Sequence, residues 1–261
     1  MSNLIPKSNV AGVLISKNNL TETLQLFCNF IDNKEKRRIC VTPVNNIVWA
    51  NQDRELMNLY NTSDMNLADG VPVVWASRFL NNPVRGRVTG LDVLPAFSEI
   101  SARRGYTSFY MGAKEGVAEL LAENFSKRYP RLTIAGFYSP PFAKKFTDIE
   151  NEKMISMINN VSPDILWVSL TSPKQDFWIA EHFHRLNVRI AIGVGGAFEV
   201  CSGVIERSPL WMQRYGLEWL YRFVQEPKRL FRRYFVEAPK FIPLIFLQKW
   251  RMVFGRQMDK T

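Results

Sequence analysis

Short apolar runs separated by stretches of helical periodicity recur along this chain until about residue 200. The clearest run, 164–170 (DILWVSL), is apolar almost throughout and lacks the alternation of a strand that has one face in water. Strands that are buried on both faces occur in parallel sheets covered by helices on both sides. The repeated strand–helix order therefore predicts an α/β fold with a mostly parallel sheet and helices on both faces.

The predicted strands and helices follow one another in nearly strict order. Strands are expected at 10–15, 38–44, 107–111, 132–138, 164–170 and 189–194, and helices at 20–31, 45–59, 91–103, 117–129, 149–158 and 173–185, with 71–80 either helical or extended. Ligands of such sheets bind at the carboxyl ends of the strands. Residues that directly follow a predicted strand are therefore the first candidates for a functional site.

The chain beyond about residue 205 has a different character. It is aromatic and basic and is interrupted at Pro227; residues 214–261 hold eleven Lys or Arg against four acidic residues, which is +7 of the net charge of +10. We therefore divide the chain into an α/β domain, residues 1–205, and a basic helical appendage, residues 206–261. The last apolar segment, 241–254, is too short to cross a bilayer and is typical of a helix at a membrane interface. Packing on the core or on another subunit is the alternative.

One acidic residue in an apolar setting precedes a group of arginines. Asp69 stands between Leu67-Ala68 and a glycine, and Arg78, Arg85 and Arg87 follow it. Desolvation beside apolar groups raises the pKa of a carboxylate and makes it a better general base, and arginines match the geometry of phosphate oxygens. Sugar transfer from a nucleotide donor needs both. The alternative is an Asp-Gly turn that caps a helix, with the arginines on a solvated face.

Two glycine turns also follow predicted strands. Gly112 opens the segment GAKEG before a helix, and Gly195 and Gly196 follow the strand at 189–194. Glycine turns at helix N-termini bind anions, so these are candidate donor loops, although many connections of this kind bind nothing. Neither turn matches the P-loop or the dinucleotide fingerprint, and an NAD site is not expected.

No metal site and no cofactor are expected. His182 and His184 are two residues apart on a predicted helix and point in different directions, and no DxD or HExxH sequence is present. Cys28, Cys40 and Cys201 are far apart in the sequence, which indicates a reducing compartment. The N-terminus lacks the pattern of a signal peptide, and no run of about 18 apolar residues predicts a membrane span.

Four segments in chain order resemble the WecG/TagA/CpsF family of bacterial glycosyltransferases. They are ADGVPVVW with RVTGLD, SPKQDFWIAEH, GVGGAFEVCSG with ERSPLW, and GLEWLYRFVQEPKRLFRRY, and the resemblance covers roughly residues 40–235. The resemblance implies a Rossmann-like catalytic domain, residues 1–205. It also implies that the appendage, residues 206–261, completes the active site and engages the membrane.

The resemblance further implies an activity. Family members transfer a sugar from a UDP-sugar to a polyprenyl-diphosphate-linked saccharide, with inversion and without a metal or cofactor, in the synthesis of bacterial cell-surface polysaccharides. The enzyme is then expected in the cytoplasm, peripheral on the inner face of the cytoplasmic membrane, and formation of a homo-oligomer stays open. The donor sugar also stays open among N-acetylmannosamine, glucose and glucuronic acid types.

Site residues carried over by this resemblance fall into two groups. Asp69 corresponds to the general base, and Arg87 is the second residue assigned to catalysis. Two positions depart from the family pattern. Asn45 stands one residue later than the family's asparagine, and Thr171-Ser172 stand where many relatives have Gly-Ala. The residues expected to bind substrate are Thr42, Asn45, Gln175, Arg222, Arg229 and Arg232.

Two rival interpretations remain at this stage. A non-enzymatic nucleic-acid-binding protein would use the basic appendage and show steep salt dependence. No nucleic-acid motif is present, however, and the arginines interleave with an apolar stripe that includes Trp219, Leu220 and Phe223. We therefore expect no nucleic-acid partner. An inactive scaffold of the same fold is disfavoured because Asp69, Gln175 and the arginines are all in place.

Overall fold

Parallel strands form the centre of the molecule, as predicted. The computed structural model describes residues 5–258. Its strands are β1 (Lys7–Val10), β2 (Val13–Ser16), β3 (Arg37–Pro43), β4 (Met65–Asp69), β5 (Thr107–Gly112), β6 (Thr133–Tyr138), β7 (Ile165–Ser169) and β8 (Ile190–Gly193). The sheet has six strands in the spatial order β4-β3-β8-β7-β5-β6, and every neighbouring pair is parallel. The two remaining strands, β1 and β2, form a separate antiparallel hairpin.

Helices cover both faces of this sheet, which confirms the predicted α/β class. They are α1 (Leu20–Asp32), α2 (Val44–Ala50), α3 (Arg54–Asn61), α4 (Val71–Phe79), α5 (Gly90–Arg104), α6 (Val117–Arg128), α7 (Asp148–Val161), α8 (Lys174–His182) and α9 (Ala197–Cys201), followed in the C-terminal segment by α10 (Leu210–Arg214), α11 (Glu218–Gln225), α12 (Pro227–Phe231) and α13 (Phe241–Met258). Between α12 and α13 lie a π-helical segment, Arg232–Glu237, and a 3-10 turn, Ala238–Lys240.

The central strand β7 shows why its sequence reads as continuously apolar. Trp167 packs with α1, α5 and α6 in one apolar cluster, whereas its neighbours Leu166 and Val168 pack with α7 and α8 in another. All three side chains are fully buried. Successive residues of a strand point to opposite faces, so a strand with helices on both sides needs apolar residues at every position.

The local structure differs from the sequence prediction at three places. The predicted strand 10–15 is wrong in extent, because Ala11 and Gly12 adopt φ values of 48° and 88° and turn the chain between two strands. The predicted helix 45–59 is two helices, because the Asp53 carboxylate accepts hydrogen bonds from the first turn of α3 and starts a new helix. Strand β4, which ends at Asp69, was not predicted as a strand at all.

The appendage is helical, as predicted, and the chain breaks at Pro227, where α12 begins. The last helix, α13, is longer than predicted, since it reaches Met258. Phe241 and Ile245 are buried against α2, α4 and the hairpin, while other apolar side chains of α13 stay exposed. Among the described residues, no helix is long and apolar enough to cross a membrane.

Polar contacts add to the docking of α13. The Gln248 amide donates a hydrogen bond to the Asn9 carbonyl at 3.0 Å and accepts one from the Ala11 N–H at 2.7 Å. Lys249 donates to the backbone carbonyl of Phe79 at 2.7 Å, and the Phe79 ring meets the Phe246 ring at 5.3 Å between centroids. The last helix is thus tied both to the hairpin and to α4.

Gly112, at the end of β5, allows a very close approach of two strands. Its φ is +119°, and an added Cβ would lie 2.3 Å from the Ser169 carbonyl oxygen of β7. That carbonyl accepts a hydrogen bond from the Ala113 N–H at 2.6 Å. The close approach of β5 to β7 therefore explains why position 112 is glycine.

We expect Gly112→Ala to destabilise the fold by about 2 kcal/mol more than Gly105→Ala, because overpacking adds to backbone strain. Gly105 is the matched control, since its φ is +75° but an added Cβ would meet nothing within 4 Å. Chemical denaturation of both variants measures the difference in the free energy of unfolding. Equal losses would show that the close approach to Ser169 costs nothing.

Candidate active site

Five of the predicted site residues lie at the carboxyl edge of the sheet. Asp69 is the last residue of β4 and pairs with Pro43 of β3, so Thr42 lies one register position earlier. Gly112 is the last residue of β5, and Gly195 is the second residue after the end of β8. Gln175 is in the first turn of α8, after β7. The topology therefore collects these residues along neighbouring strands, as ligand sites of parallel sheets require.

The carboxylate of Asp69 lies in a largely desolvated position. Burial raises its pKa to about 6, while the positive charges of Arg233 and Arg87 act in the opposite direction. The negative charges of Glu218 and Asp92 act in the same direction as burial, and the pKa of about 6 includes all of these contributions. Such a group is mostly ionised at pH 7 and can take up a proton, which is the requirement for a general base.

Arg87 belongs to a network of four charged side chains. It donates to Glu218 at 2.9 Å and to Asp92 at 3.3 Å. Arg207 contacts the same two carboxylates, Glu218 at 3.3 Å and Asp92 by a shorter hydrogen bond. Two positive and two negative charges offset each other, so the charge of Arg87 is not free for a ligand while this network is intact. Because Glu218 begins α11, the network also fastens the appendage to the N-terminus of α5.

The three appendage arginines carried over from the family resemblance occupy different environments. Arg222 lies over Gly196, where an added Cβ would be 3.0 Å from its Nη2, and its Nε is buried without a partner among the described residues. Arg229 pairs with Glu226 at 2.6 Å. Arg232 is 84% exposed and is 3.6 Å from Glu237. Of the three, Arg222 is the one closest to the loop after β8.

The sequence did not single out Arg233, although its positive charge acts on the candidate base. Its Nε donates to Asn45 Oδ1 at 2.9 Å, and its charge acts directly on Asp69. The sequence offers two adjacent arginines here and no sign of which one faces inward. Within the π-helical segment, Arg233 points inward and Arg232 outward.

Asn45 is the first member of a buried chain of hydrogen bonds. Its amide nitrogen donates to Asn46 at 2.9 Å, and the Asn46 amide donates to the Ser172 hydroxyl at 2.8 Å. Ser172 in turn donates to Asp176 at 3.0 Å, which also accepts from the Tyr60 hydroxyl at 3.2 Å. Burial raises the pKa of Asp176 to about 7. The chain connects the appendage, through Arg233, with the interior between β3 and α8.

Gln175 faces the interior and supports the loop after β8. It is 1% exposed, and its Oε1 accepts a hydrogen bond from the Gly195 N–H at 3.0 Å. An added Cβ at Gly193 would lie 2.7 Å from the Gln175 amide nitrogen. The structure thus places Gln175 behind the glycine turn that the sequence suggested as a donor loop. Gly195 itself has open space around it.

A cleft of about 510 Å³ lies between the turn after β5, helix α9 and the appendage. Lys114 from the turn after β5 lines one side, Glu199 of α9 lines the floor, and Gln225, Glu226 and Arg229 come from the appendage. The cleft thus joins the β5 turn, α9 and the appendage.

Thr42 is fully buried, and its hydroxyl has no hydrogen-bond partner among the described residues. Over the same residues, no group of three His, Cys, Asp or Glu side chains is arranged to hold a metal ion. His182 is buried and packs edge-on against Trp178, with ring centroids 5.1 Å apart. The role of Thr42 in substrate binding stays a prediction.

Comparisons with known proteins agree with this architecture. The model of the glycosyl transferase WecG/TagA/CpsF family matches residues 8–254. A protein of Bacillus subtilis (strain 168), named N-acetylglucosaminyldiphosphoundecaprenol N-acetyl-beta-D-mannosaminyltransferase, is 33% identical over 77% of this chain and 79% of its own length. A protein of the same name from Staphylococcus aureus (strain MRSA252) is 26% identical over 87% of both chains. The chain therefore belongs to the WecG/TagA/CpsF family and is a glycosyltransferase.

Proposed function

We propose that this enzyme transfers a sugar from a UDP-sugar to a polyprenyl-diphosphate-linked saccharide, with inversion at the anomeric carbon and without a metal. The single observation that carries this proposal is Asp69: a desolvated carboxylate with a pKa of about 6, at the carboxyl edge of the sheet and close to arginines. The names of both curated relatives support the acceptor, because they specify a sugar diphosphoundecaprenol.

In the reaction, an acceptor hydroxyl oxygen attacks the anomeric carbon of the donor. Asp69 takes the hydroxyl proton as the new glycosidic bond forms. The bond between the anomeric carbon and the β-phosphate oxygen breaks, and UDP leaves with that electron pair. Attack from the face opposite the leaving group inverts the configuration, so one carboxylate suffices and no covalent intermediate is needed.

The leaving diphosphate needs positive charge in place of a metal ion. Arg222 is suited to this role, because it lies over the loop after β8 and its Nε is buried and unpaired among the described residues. Arg229 and Lys114 line the adjacent cleft and can contribute, and Arg232 stays a proposed contact. Fixed cations at the leaving oxygen stabilise the transition state because they need no reorganisation during the reaction.

An exposed apolar surface on the appendage and on helix α4 supports a membrane contact. Large apolar side chains of α10, α11, α13 and α4 face solvent, and the basic composition of residues 214–261 suits an anionic lipid surface. A peripheral position on the inner leaflet would bring the lipid-linked acceptor to the enzyme. The exposed side chains on these helices include Trp75, Leu210, Trp211, Val224, Ile242, Phe246 and Trp250, and Tyr215 directly after α10 is exposed as well.

Replacement of the base tests the mechanism. We expect Asp69→Asn to lower kcat/KM by about 10²- to 10⁴-fold, the usual contribution of a general base. Its melting temperature should be equal to or above that of the wild type, because the change removes the cost of a desolvated charge. In the wild type, kcat/KM should fall as the pH drops through about 6, since Asp69 is then protonated. Near-normal turnover by the folded variant would refute the base assignment.

A donor panel tests the substrate class. UDP-N-acetylmannosamine, UDP-glucose and UDP-glucuronic acid are each offered with a synthetic polyprenyl-diphosphate-N-acetylglucosamine, with and without EDTA, and UDP release is measured. The relatives' names make N-acetylmannosamine the first candidate. We expect release with one donor, dependent on acceptor and on Asp69 and unchanged by EDTA. Loss of activity in EDTA that Mg²⁺ restores would contradict the metal-free mechanism.

Vesicle binding tests the membrane surface. We expect Ile242→Ser with Trp250→Ser to weaken partitioning onto vesicles containing anionic lipid by about tenfold or more, because each exposed apolar side chain contributes on the order of 1 kcal/mol when it is buried in lipid. Both residues are 58% exposed, and Ile149→Ser on α7, at an 84% exposed position, is the control. Unchanged partitioning of the double variant would contradict the assignment of α13.

A further inference from the structure

We propose that Arg233 of the appendage is a positioning residue that favours the ionised form of Asp69. This inference rests on the proposed function, in which Asp69 is the general base. Arg233 was not among the residues carried over from the family resemblance. The contacts and charges around it carry the argument.

The first observation is the place where Arg233 is anchored. Its Nε donates to Asn45 Oδ1 at 2.9 Å, and Asn45 is 3% exposed. Asn45 lies two residues after Pro43 of β3, and Pro43 pairs with Asp69 of β4. The hydrogen bond therefore fixes an appendage side chain at the strand ends that carry the base.

The second observation is that this anchor is rigid. The Asn45 amide uses its oxygen for Arg233 and its nitrogen for Asn46, so both of its polar ends are engaged. Asn46 is fully buried and donates to Ser172, which donates to Asp176. A buried amide held at both ends keeps one orientation, because the reversed orientation would face donor with donor. Arg233 is therefore held at a defined position.

The third observation is that Arg233 differs from the other arginines near the site. Among the ion pairs of residues 5–258, none involves Arg233, whereas Arg87 shares two carboxylates with Arg207. The charges that act on Asp69 are those of Arg233 and Arg87, which favour the ionised form, and of Glu218 and Asp92, which oppose it. Glu218 and Asp92 also offset the charge of Arg87. Arg233 therefore supplies the positive charge near Asp69 that no ion pair among residues 5–258 offsets.

A consequence follows for the catalytic cycle. Without Arg233, burial would shift Asp69 towards its protonated form. A smaller fraction of the enzyme would then carry an ionised base at neutral pH. The protonation of the base thus depends on a residue of the appendage as well as on the strand that carries Asp69.

The test compares the pH dependence of kcat/KM in the wild type, Arg233→Gln, Arg233→Lys and Lys228→Gln. In this profile the acid limb reports the ionisation of the base in the free enzyme. We expect Arg233→Gln to move the acid limb upward by about one pH unit, with activity recovering as the pH is raised, and Arg233→Lys to move it less. Lys228→Gln removes one positive charge from an exposed position of the same segment and should leave both activity and limb unchanged.

Arg232→Gln separates positioning from phosphate binding. Arg232 neighbours Arg233 in sequence but faces solvent. Its loss should leave the acid limb at the wild-type position, whatever it does to the rate. An Arg233→Gln variant whose activity falls equally at every pH, with the limb unmoved, would overturn the inference, because that result describes a substrate contact or a structural residue.

If the Arg233→Gln variant is too slow to assay, the protonation of Asp69 can be titrated directly. Carbon-13 NMR of protein labelled at aspartate Cγ identifies the Asp69 signal by its absence in Asp69→Asn. Its titration midpoint should lie higher in Arg233→Gln than in the wild type, and an unchanged midpoint would refute the inference. The two proposals fail separately: activity of Asp69→Asn refutes the base, whereas an unmoved Asp69 titration refutes only the role of Arg233.

Discussion

Burial of both faces of the central strands is the constraint on which the rest of the structure depends. Strand β7 pairs with β5 and β8, and its side chains enter the apolar clusters on both sides of the sheet. Parallel pairing of such strands requires a helical crossover between them, and every crossover leaves from the same edge. The chain is thereby obliged to bring its loops together, which is how residues far apart in sequence, such as Asp69 and Gln175, come to share one rim.

The appendage is attached by a different kind of contact. Only a few of its apolar side chains, among them Leu230, Phe241 and Ile245, are buried. Much of its attachment is polar, through the network around Glu218 and the hydrogen bond between Arg233 and Asn45. Partly exposed ion pairs contribute little stability, but they hold a defined register.

The sequence predicted the sheet and its covering helices, because both depend on local patterns that burial imposes, and it singled out Asp69 by its apolar setting. It did not predict strand β4, whose short MNLAD segment has no clear periodicity. It also could not show that Arg87 would be shared between two carboxylates or that Arg233, not Arg232, would face the base. Those outcomes depend on contacts between segments more than 100 residues apart, such as the hydrogen bond between Asn45 and Arg233. Which residues bind the substrates therefore stays a prediction.

The contact between Gln175 and Gly193 has a consequence for how this protein can vary. The glutamine side chain fills the volume that any larger residue at 193 would need, and it also supplies the acceptor for the Gly195 N–H. Neither position can change alone without a clash or an unpaired amide. The two positions are therefore expected to change together during evolution, and a mutant library that randomises one of them must randomise both.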